Sequence, residues 1–508
     1  MLNRPKTYHA TDTNMNRPPA TSSSQMRFSL RRGGAALLAL GVFGLAGAGV
    51  PQTSLGGPKN VILMISDGTG DNTIAATGMY TGKLGKQAFD GPNWIKAFAS
   101  TYPLRTSNSP IPGPAGLQQD PDAIYAPAKN WDTTPANTSM GQYPDHFAGY
   151  RWTKRTAPDS ANTMVAVMTG HKTYNAAINV DGNGKRLLTF AEVEHQAGKS
   201  IGVVTTVEIS DATPAVAGGA HNVSRANRTA ITNEMLNAGT LSVIMGTGNP
   251  DYTNDGMRRN APDYSWISAG DWASLQAGST GFKLIQDKSD FDALSTARTT
   301  SAKLIGVAHS FDSTQFNRAG AAPAKETPYQ VARKSDVPSL KTMTLGALNI
   351  LGRDPDGLFL MIEGGAVDRA MHANNLGRTI EEKIEFDEAI EAVSAYLDAN
   401  TNGNNWFNTL VIVTADHDHL LLGPDSDTIP FQNLVDKGAD RLPGYKWQHN
   451  GHSNQLVPLY ARGLGADRFL DCAKGRDLFT DRDGRTFGRG AYLDQTDIFT
   501  LMSGRPCS

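Results

Sequence analysis

The sequence predicts an α/β fold built on a largely parallel sheet. Continuous apolar runs at residues 60–65, 358–362 and 409–414 are typical of strands that are buried on both faces. Segments with helical periodicity alternate with these runs, which is the pattern of β-α-β units. Several runs end in acidic or histidine-containing clusters, and open α/β sheets bind ligands at the carboxyl ends of their strands.

Length and composition limit the classes of protein to consider. The chain has 508 residues, of which 39% are hydrophobic, and this is enough to bury a large core. The formal net charge is −2, so the chain has no basic surplus and we expect no nucleic-acid partner. Only Cys472 and Cys507 occur, which argues against a thiolate zinc site or a cysteine nucleophile. The two cysteines form either one disulfide or two free thiols.

The N-terminal region predicts an export signal. Residues 1–25 are polar and are expected to be disordered or to lie upstream of the true start. Residues 26–48 combine arginines, an apolar run and a small-residue cleavage site, which is the pattern of a secretory signal peptide. A membrane anchor is the alternative, but the Gly- and Ala-rich run at 35–50 is short for a span. We therefore expect a periplasmic or secreted protein with no stable membrane span after cleavage. The Arg31-Arg32 pair leaves the Sec and twin-arginine routes open.

Residues 49–508 are predicted to form a single catalytic domain. Within it, residues 103–158 are a long irregular stretch rich in Pro, Asn, Thr and aromatic residues. Such a stretch inside a compact domain is usually functional, so we expect this insertion to border the active site. The other predicted elements are strands at 201–207, 241–245, 304–308 and 456–461, and helices at 190–198, 229–237, 339–351, 379–398 and 497–502.

A buried helix is predicted to begin at Ser160. Asp159 precedes this serine, and mostly small or apolar residues then continue to Gly170. The free N–H groups and the positive dipole at the helix start favour a phosphate-like anion and an ionised nucleophile. Because an Asp-Ser pair before a helix is more often a cap than a catalyst, the assignment depends on the rest of the chain.

Potential metal ligands follow several of the predicted strands. They are Asp67, Asp211, Thr213, Glu363, Asp368, His372, Asp416 and His417, and His452 stands just before the strand at 456–461. Together at one sheet edge, these groups would form a carboxylate and imidazole cavity that is unstable unless cations fill it. Mixed Asp and His sets suit Zn²⁺, whereas Asp, Thr and Glu oxygens suit Mg²⁺. Asp368 and His372 are four residues apart on one helix face, so both can reach one metal.

These motifs resemble those of the bacterial alkaline phosphatase family, the zinc- and magnesium-dependent phosphomonoesterases. The resemblance runs in order from about Lys59 to Met502. Its main motifs are Ser66-Asp67-Gly68-Thr69-Gly70, Asp159-Ser160-Ala161, Asp211-Ala212-Thr213-Pro214, Ser224-Arg225, Glu363-Gly364-x-x-x-Asp368-x-x-x-His372, Thr414-Ala415-Asp416-His417 and His452-Ser453. It implies a three-layer sandwich, with a central, mostly parallel sheet flanked by helices. The family is commonly dimeric, so the resemblance also implies a homodimer.

The resemblance assigns the candidate ligands to two zinc ions and one magnesium ion. One zinc ion would be held by Asp368, His372 and His452. The second zinc ion would be held by Asp67, Asp416 and His417. The magnesium ion would be bound by Thr213, Glu363 and the bridging Asp67, and supported by Asp211 through bound water.

The resemblance also implies the reaction. Ser160 would be the nucleophile, Arg225 would grip two phosphate oxygens with its planar fork, and Asp159 would orient Arg225. The expected reaction is hydrolysis of small phosphate monoesters through a phosphoserine intermediate. A phosphodiesterase or sulfatase-like hydrolase is the alternative, because such enzymes share the two-metal core. A third metal and an arginine clamp favour the doubly charged monoester.

Three basic residues near the candidate ligands have no assigned role in this scheme. Arg369 follows Asp368 directly, and we expect it either to contact phosphate through water or only to balance the carboxylates. His419 and His449 are expected to support ligand residues or to face solvent.

Overall fold

The structure is a computed structural model that describes residues 57–136, 141–296, 303–320 and 327–507. The predictions for residues 1–25 and 26–48 therefore lie outside the described residues. Within the described ranges, no helix has both the length and the apolar character that crossing a membrane requires.

The described residues form strands and helices that alternate along most of the chain. The strands are β1 (Asn60–Ser66), β2 (Ile95–Ser100), β3 (Ser200–Glu208), β4 (Val243–Thr247), β5 (Lys283–Ile285), β6 (Leu304–Val307), β7 (Leu358–Gly364), β8 (Thr409–Thr414), β9 (Asp418–Leu422), β10 (Lys446–Ser453), β11 (Val457–Gly463), β12 (Gly475–Thr480) and β13 (Thr486–Asp494). The helices are α1 (Asp71–Thr81), α2 (Pro127–Asn130), α3 (Ala148–Arg155), α4 (Ser160–Thr169), α5 (Phe190–Gln196), α6 (Ala212–Ala217), α7 (Arg228–Asn237), α8 (Ala269–Gln276), α9 (Lys288–Thr296), α10 (Leu340–Leu351), α11 (Ala366–His372), α12 (Leu376–Asp398) and α13 (Gln495–Met502).

One large sheet organises the molecule. Its strand order is β12-β13-β2-β11-β8-β1-β7-β3-β4-β6-β5, and a separate pair is formed by β9 and β10. The central strands β8, β1, β7, β3, β4 and β6 run parallel to one another, whereas β11 is antiparallel to both of its neighbours. The sheet is therefore mostly parallel, which confirms the predicted α/β class.

Helices cover both faces of the sheet. Along β1, Val61 and Leu63 belong to a core cluster that also contains residues of α4, α5, α6 and α13. The alternate residues Ile62 and Met64 belong to a second cluster, with residues of α10 and α12. Because successive side chains of a strand point to opposite faces, an uninterrupted apolar strand requires cover on both sides. This arrangement is the expected three-layer sandwich.

The sequence predicts the long, buried strands at the centre of the sheet and misses most of the shorter or more exposed ones. It does not predict β2, β5, β9, β10, β12 or β13. The sequence of β10 is Lys-Trp-Gln-His-Asn-Gly-His-Ser, which has no apolar alternation. The strands β12 and β13 form a partly exposed hairpin at one end of the sheet. Neither pattern carries the burial signal on which strand prediction depends.

The segment 103–158 is only partly irregular. It contains a 3₁₀ helix at Pro114–Leu117 and the short helices α2 and α3. Its aromatic residues are partly buried in the fold, since Trp131 and Tyr150 pack with Phe431 from the chain that follows β9. The prediction of a structureless stretch is therefore wrong in part, because these aromatic side chains supply a small core of their own.

The two cysteines are paired in the structure. A disulfide joins Cys472 and Cys507, whose Cα atoms are 5.3 Å apart. The bond ties the chain that follows α13 to the segment between β11 and β12. Of the two alternatives left open by the sequence, the structure has the disulfide.

A fully buried acid on α12 links the stability of this fold to pH. Glu382 is 2% exposed, and neither of its carboxylate oxygens has a hydrogen-bond partner among the described residues. Burial and the neighbouring Glu385 raise the pKa of Glu382 to about 8, although Arg333 opposes the rise. A carboxyl whose pKa is higher in the folded state stabilises the fold below its unfolded pKa, and this stability is lost as the pH rises through 8.

We therefore expect Glu382→Gln to stabilise the protein at alkaline pH. The variant should gain roughly 2 kcal/mol in the free energy of unfolding at pH 9 and much less at pH 5, as measured by urea titration. Glu391→Gln, at an exposed position of the same helix, is the matched control and should show no such trend. A difference between Glu382→Gln and the parent that does not vary with pH would contradict this prediction.

Candidate active site

The register of the central strands places several candidate ligands side by side. The strand β1 lies between β7 and β8, with Ile65 paired to Glu363 on one side and to Thr414 on the other. Asp67 follows β1 directly, and Asp416 follows β8. These carboxylates consequently meet at one edge of the sheet, as expected for the ends of parallel strands.

Asp67, Asp416 and His417 form the first ligand group. The Nε2 atom of His417 lies 3.4 Å from Asp67 Oδ1 and 3.2 Å from Asp416 Oδ2. The other oxygen of Asp416 accepts hydrogen bonds from the backbone N–H groups of Gly68 (2.9 Å) and His417 (3.0 Å). These bonds turn Asp416 Oδ2 toward Asp67. Gly68 has a φ of 72°, and a Cβ at this position would lie 2.7 Å from the side chain of Met371, so the turn requires glycine.

Asp368 is the centre of a second ligand group. Its Oδ1 atom lies 2.6 Å from His419 Nε2 and 3.4 Å from His452 Nε2, and its Oδ2 atom lies 3.3 Å from His372 Nε2. Backbone carbonyls orient two of these rings. His372 Nδ1 lies 2.7 Å from the carbonyl oxygen of Asn450, and His452 Nδ1 lies 2.8 Å from the carbonyl oxygen of Pro158. The Nε2 atoms of both rings thus remain directed at Asp368.

The two groups are contiguous. The rings of His417 and His452 stack with centroids 3.5 Å apart, so His417 adjoins both sets of ligand atoms. Two sets of side chains have ligand atoms close enough to share a metal ion: Asp67, Asp416 and His417, and Asp368, His417, His419 and His452.

Ser160 lies against the first group. It is the first residue of α4, and its Oγ atom is 3.2 Å from His417 Nε2. The helix start is fixed by a reciprocal pair of hydrogen bonds, in which Asp159 Oδ1 accepts from the N–H of Asn162 (3.0 Å) and Asn162 Oδ1 accepts from the N–H of Asp159 (2.9 Å). Such a capping box contributes about 1 kcal/mol to helix stability and fixes the orientation of the first turn.

Arg225 is held beside Ser160 by two carboxylates. Its Nη1 atom donates to Asp159 Oδ2 (3.2 Å), and its Nη2 atom donates to Asp211 Oδ1 (2.8 Å). The two oxygens of Asp159 therefore have different tasks, since one caps α4 and the other orients Arg225. The Arg225 side chain is 24% exposed and remains accessible to a ligand.

Asp211 is surrounded by cations. Arg228 Nη1 donates to its Oδ1 atom (2.6 Å), and Arg369 Nη2 donates to its Oδ2 atom (2.8 Å) and also to Glu208. Burial alone would raise the pKa of Asp211, but Arg228, Arg225 and Arg369 hold this pKa well below its usual range. Arg369 thus balances carboxylates, which is one of the two alternatives that the sequence leaves open.

Glu363 and Thr213 lie at the third corner of the site. Glu363 Oε2 accepts a hydrogen bond of 2.5 Å from Thr205 Oγ1. Burial raises the pKa of Glu363 to about 8, and the hydroxyls of Thr205 and Thr213 oppose this rise. Both Glu363 and Thr213 are 1% exposed, so they offer buried oxygen ligands.

The electrostatics of the site favour cations. Burial, followed by repulsion from Asp416, raises the pKa of Asp67 well above its usual range. Burial also raises the pKa of Asp416 to about 6 and lowers the pKa of His417 well below its usual value. Neutral imidazole is the form that binds metals. Asp67 Oδ1, Asp416 Oδ2 and His417 Nδ1 are buried without a hydrogen-bond partner in the described part of the chain. Buried, uncompensated carboxylate oxygens beside neutral imidazole fit divalent cations.

The structure gathers the sequence-predicted residues into one site and adds others. His419 is fully buried against Asp368, so it supports a candidate ligand rather than facing solvent. Arg228, Glu208 and Thr205 have no sequence signal that would identify them, because each acts only through a neighbouring side chain. His452 lies within β10, where it pairs with His419 of β9. The insertion reaches this region through Pro158, whose carbonyl contacts His452.

Comparison with known proteins identifies the family of this chain. The alkaline phosphatase family model matches residues 128–441, which is more than half of the chain. This chain therefore belongs to the alkaline phosphatase family.

Among curated relatives, alkaline phosphatase 4 of Bacillus subtilis is 31% identical over 303 residues, covering 58% of this chain and 57% of that protein. Alkaline phosphatase 3 of the same organism is 30% identical over 299 residues, covering 58% of this chain and 56% of that protein. The chain thus spans little more than half the length of these two relatives. The alkaline phosphatase of Escherichia coli is 28% identical over 460 residues, covering 83% of this chain and 84% of that protein.

Solved structures share the fold. The alkaline phosphatase of the Antarctic bacterium TAB5 aligns with a TM-score of 0.56 and 22% identity, covering 88% of this chain and 97% of that chain. The alkaline phosphatase of Thermus thermophilus aligns with a TM-score of 0.57 and 19% identity, covering 92% of this chain and 96% of that chain. Both comparisons agree with the three-layer arrangement described above.

Proposed function

We propose that this protein hydrolyses phosphate monoesters to an alcohol and inorganic phosphate through a phosphoserine intermediate. The observation that carries the proposal is the position of Ser160. Its Oγ atom lies 3.2 Å from His417 Nε2, at the start of a helix and beside the imidazole that adjoins both ligand groups. The N-cap of α4 is Asp159, so Ser160 is not the cap of this helix, and its hydroxyl faces the candidate metal ligands. Membership of the alkaline phosphatase family supports the same reaction.

The residues of the site fit two zinc ions and one magnesium ion. Asp368, His372 and His452 would hold one zinc ion, and Asp67, Asp416 and His417 would hold the other. Thr213, Glu363 and Asp67 would hold the magnesium ion, with Asp211 in support. When bound, these ions would stabilise negative charge on the attacking and leaving oxygens. A mutant of the TAB5 enzyme has Mg bound in its M3 site, which is a precedent for magnesium in this fold.

The chain's own groups would orient and activate the reactants. The N-terminus of α4 and the cationic site would favour the ionised form of Ser160 Oγ. Arg225 would bind two phosphate oxygens through its fork, while Asp159 and Asp211 keep the guanidinium in place. Attack by Ser160 Oγ would form a bond to phosphorus and break the bond to the leaving alcohol. Water would then cleave the phosphoserine and restore the free serine.

A phosphodiesterase or sulfatase-like activity is the alternative for this site. We expect kcat/KM for p-nitrophenyl phosphate to exceed that for its bis-ester by at least about 100-fold, because a bidentate arginine contact favours the more highly charged monoester. Initial rates of nitrophenol release measure both reactions, and p-nitrophenyl sulfate tests the sulfatase activity. Arg225→Ala should reduce the monoester preference. Faster hydrolysis of the bis-ester or of the sulfate would overturn the proposed function.

We further propose a periplasmic or secreted location and a homodimeric assembly. The Cys472–Cys507 disulfide supports the location, because disulfides persist in oxidising compartments. The homodimer rests on the family resemblance alone, and light scattering of the purified protein tests it.

A further inference from the structure

A second feature of the site is a cavity that opens beside His372. Its volume is about 540 Å³, and its walls include the aromatic residues Tyr143, Tyr445 and Trp447. The His372 side chain, which is 43% exposed, forms part of the wall. The cavity is therefore continuous with the candidate metal ligands.

The cavity lies at the end of the site that is farther from the nucleophile. Ser160 contacts His417, the ring of His417 stacks on His452, and His452 Nε2 lies 3.0 Å from His372 Nε2. This row of contacts leads from the serine to the cavity. In an in-line displacement the attacking and leaving oxygens are on opposite sides of phosphorus, so the leaving group points away from Ser160.

We propose that this cavity binds the leaving alcohol of the substrate and that it favours alcohols carrying an aromatic ring. The proposal rests on the proposed phosphomonoesterase function, to which it adds the substrate class. The occupant is a part of the substrate rather than a separate ligand, because His372 belongs both to the cavity wall and to the candidate metal site.

The chemistry of the walls favours an aromatic group. Tyr445 and Trp447 meet edge to face with ring centroids 6.5 Å apart, and aromatic ligands prefer such offset and edge contacts. The rest of the wall carries polar side chains, among them Gln142, Asn374 and Asn450.

The cations near the cavity do not favour an anionic group. On α3, Lys154 lies 2.7 Å from Asp145, and Arg155 lies 2.5 Å from Asp122. The charges of both side chains are thus balanced by carboxylates. Tyr143 brings the insertion to the cavity wall, where its hydroxyl contacts the side-chain amide of Asn374 just after α11. This contact fixes the tyrosine next to His372.

A pair of alkyl esters tests the proposal without a change in leaving-group chemistry. Ethyl phosphate and 2-phenylethyl phosphate release alcohols of similar acidity, so a difference in kcat/KM reports binding of the ring. We expect the parent protein to prefer the phenylethyl ester by about tenfold. Tyr445→Ala should reduce this preference to about twofold with ethyl phosphate unaffected, and Tyr445→Phe, which keeps the ring, should restore it. Tyr264→Ala, at an exposed tyrosine that does not line the cavity, is the matched control.

Two results would overturn this inference while leaving the proposed function intact. One is equal kcat/KM for the two esters in the parent protein. The other is an unchanged preference in Tyr445→Ala; a shift of that variant from dimer to monomer in light scattering would then identify the cavity as a contact between two copies of the chain. Failure to hydrolyse either ester would instead contradict the proposed function itself.

Discussion

Replacing Ser160 by alanine is expected to lower kcat for monoester hydrolysis by at least about 10³-fold while metal content stays the same. Activity is lost because Ser160 supplies the hydroxyl that lies against His417 at the start of α4, and alanine has no group that can replace it as the nucleophile. The metal ligands remain, since none of the proposed ligand side chains is altered. Phosphate release and elemental analysis of the purified variant measure the two effects separately.

Thr163→Ala is the matched control for this variant. It removes a hydroxyl from the same helix, one that bonds only to the backbone carbonyls of Asp159 and Ser160. Its activity should remain within about threefold of the parent, because a hydrogen bond from a side-chain hydroxyl to the helix backbone contributes to stability rather than to catalysis. Acid quenching during turnover should trap phosphoserine in the parent and not in Ser160→Ala. Unchanged activity in Ser160→Ala with metals retained would exclude the serine mechanism.

Removing the metals is expected to abolish activity and to lower the melting temperature by roughly 10 °C, since each tightly bound ion stabilises the fold by about 4 kcal/mol at 1,000 times its Kd. The stabilisation is lost because, without the ions, no cation offsets the repulsion among the buried carboxylates of Asp67, Asp416 and Glu363. Scanning calorimetry before and after dialysis against a chelator measures the shift. Adding Zn²⁺ and Mg²⁺ should restore both properties.

A ligand variant shows whether the shift comes from this site. Asp416→Asn should reduce the metal content and the chelator-induced shift together. Asp467→Asn, which changes an exposed carboxylate outside the site, should leave both unaffected. If chelation leaves the melting temperature and the activity of the parent unchanged, the site does not hold the proposed ions.

The positions of some site residues can be predicted from the ends of the strands. Asp67 comes directly after β1, and Asp416 comes two residues after β8. The apolar sequences of both strands indicate burial on both faces, and such strands can only occupy the middle of the sheet. The sequence pattern therefore predicts that these two carboxylates lie near each other. The membership of His372 in the same cluster follows from its helical spacing with Asp368.

The less predictable part depends on side chains that act through others. His419 lies in a short strand whose register with β10 places it against Asp368, and neither strand has a readable pattern. Arg228 and Arg369 meet at Asp211 only because α7 and α11 approach the same carboxylate. Contacts of this kind depend on packing between distant segments. No local spacing in the sequence encodes them.

The central position of β1 has a consequence for how the protein folds. Its neighbours β7 and β8 come from the second half of the chain, and His452 comes later still. The candidate ligands thus come from segments far apart in the sequence, and contacts between such segments form slowly because long loops must close first. The group formed by Asp67, Asp416 and His417 is complete only when β1 has paired with β8, which is synthesised long after it. Metal uptake would therefore mark the completion of folding rather than its start.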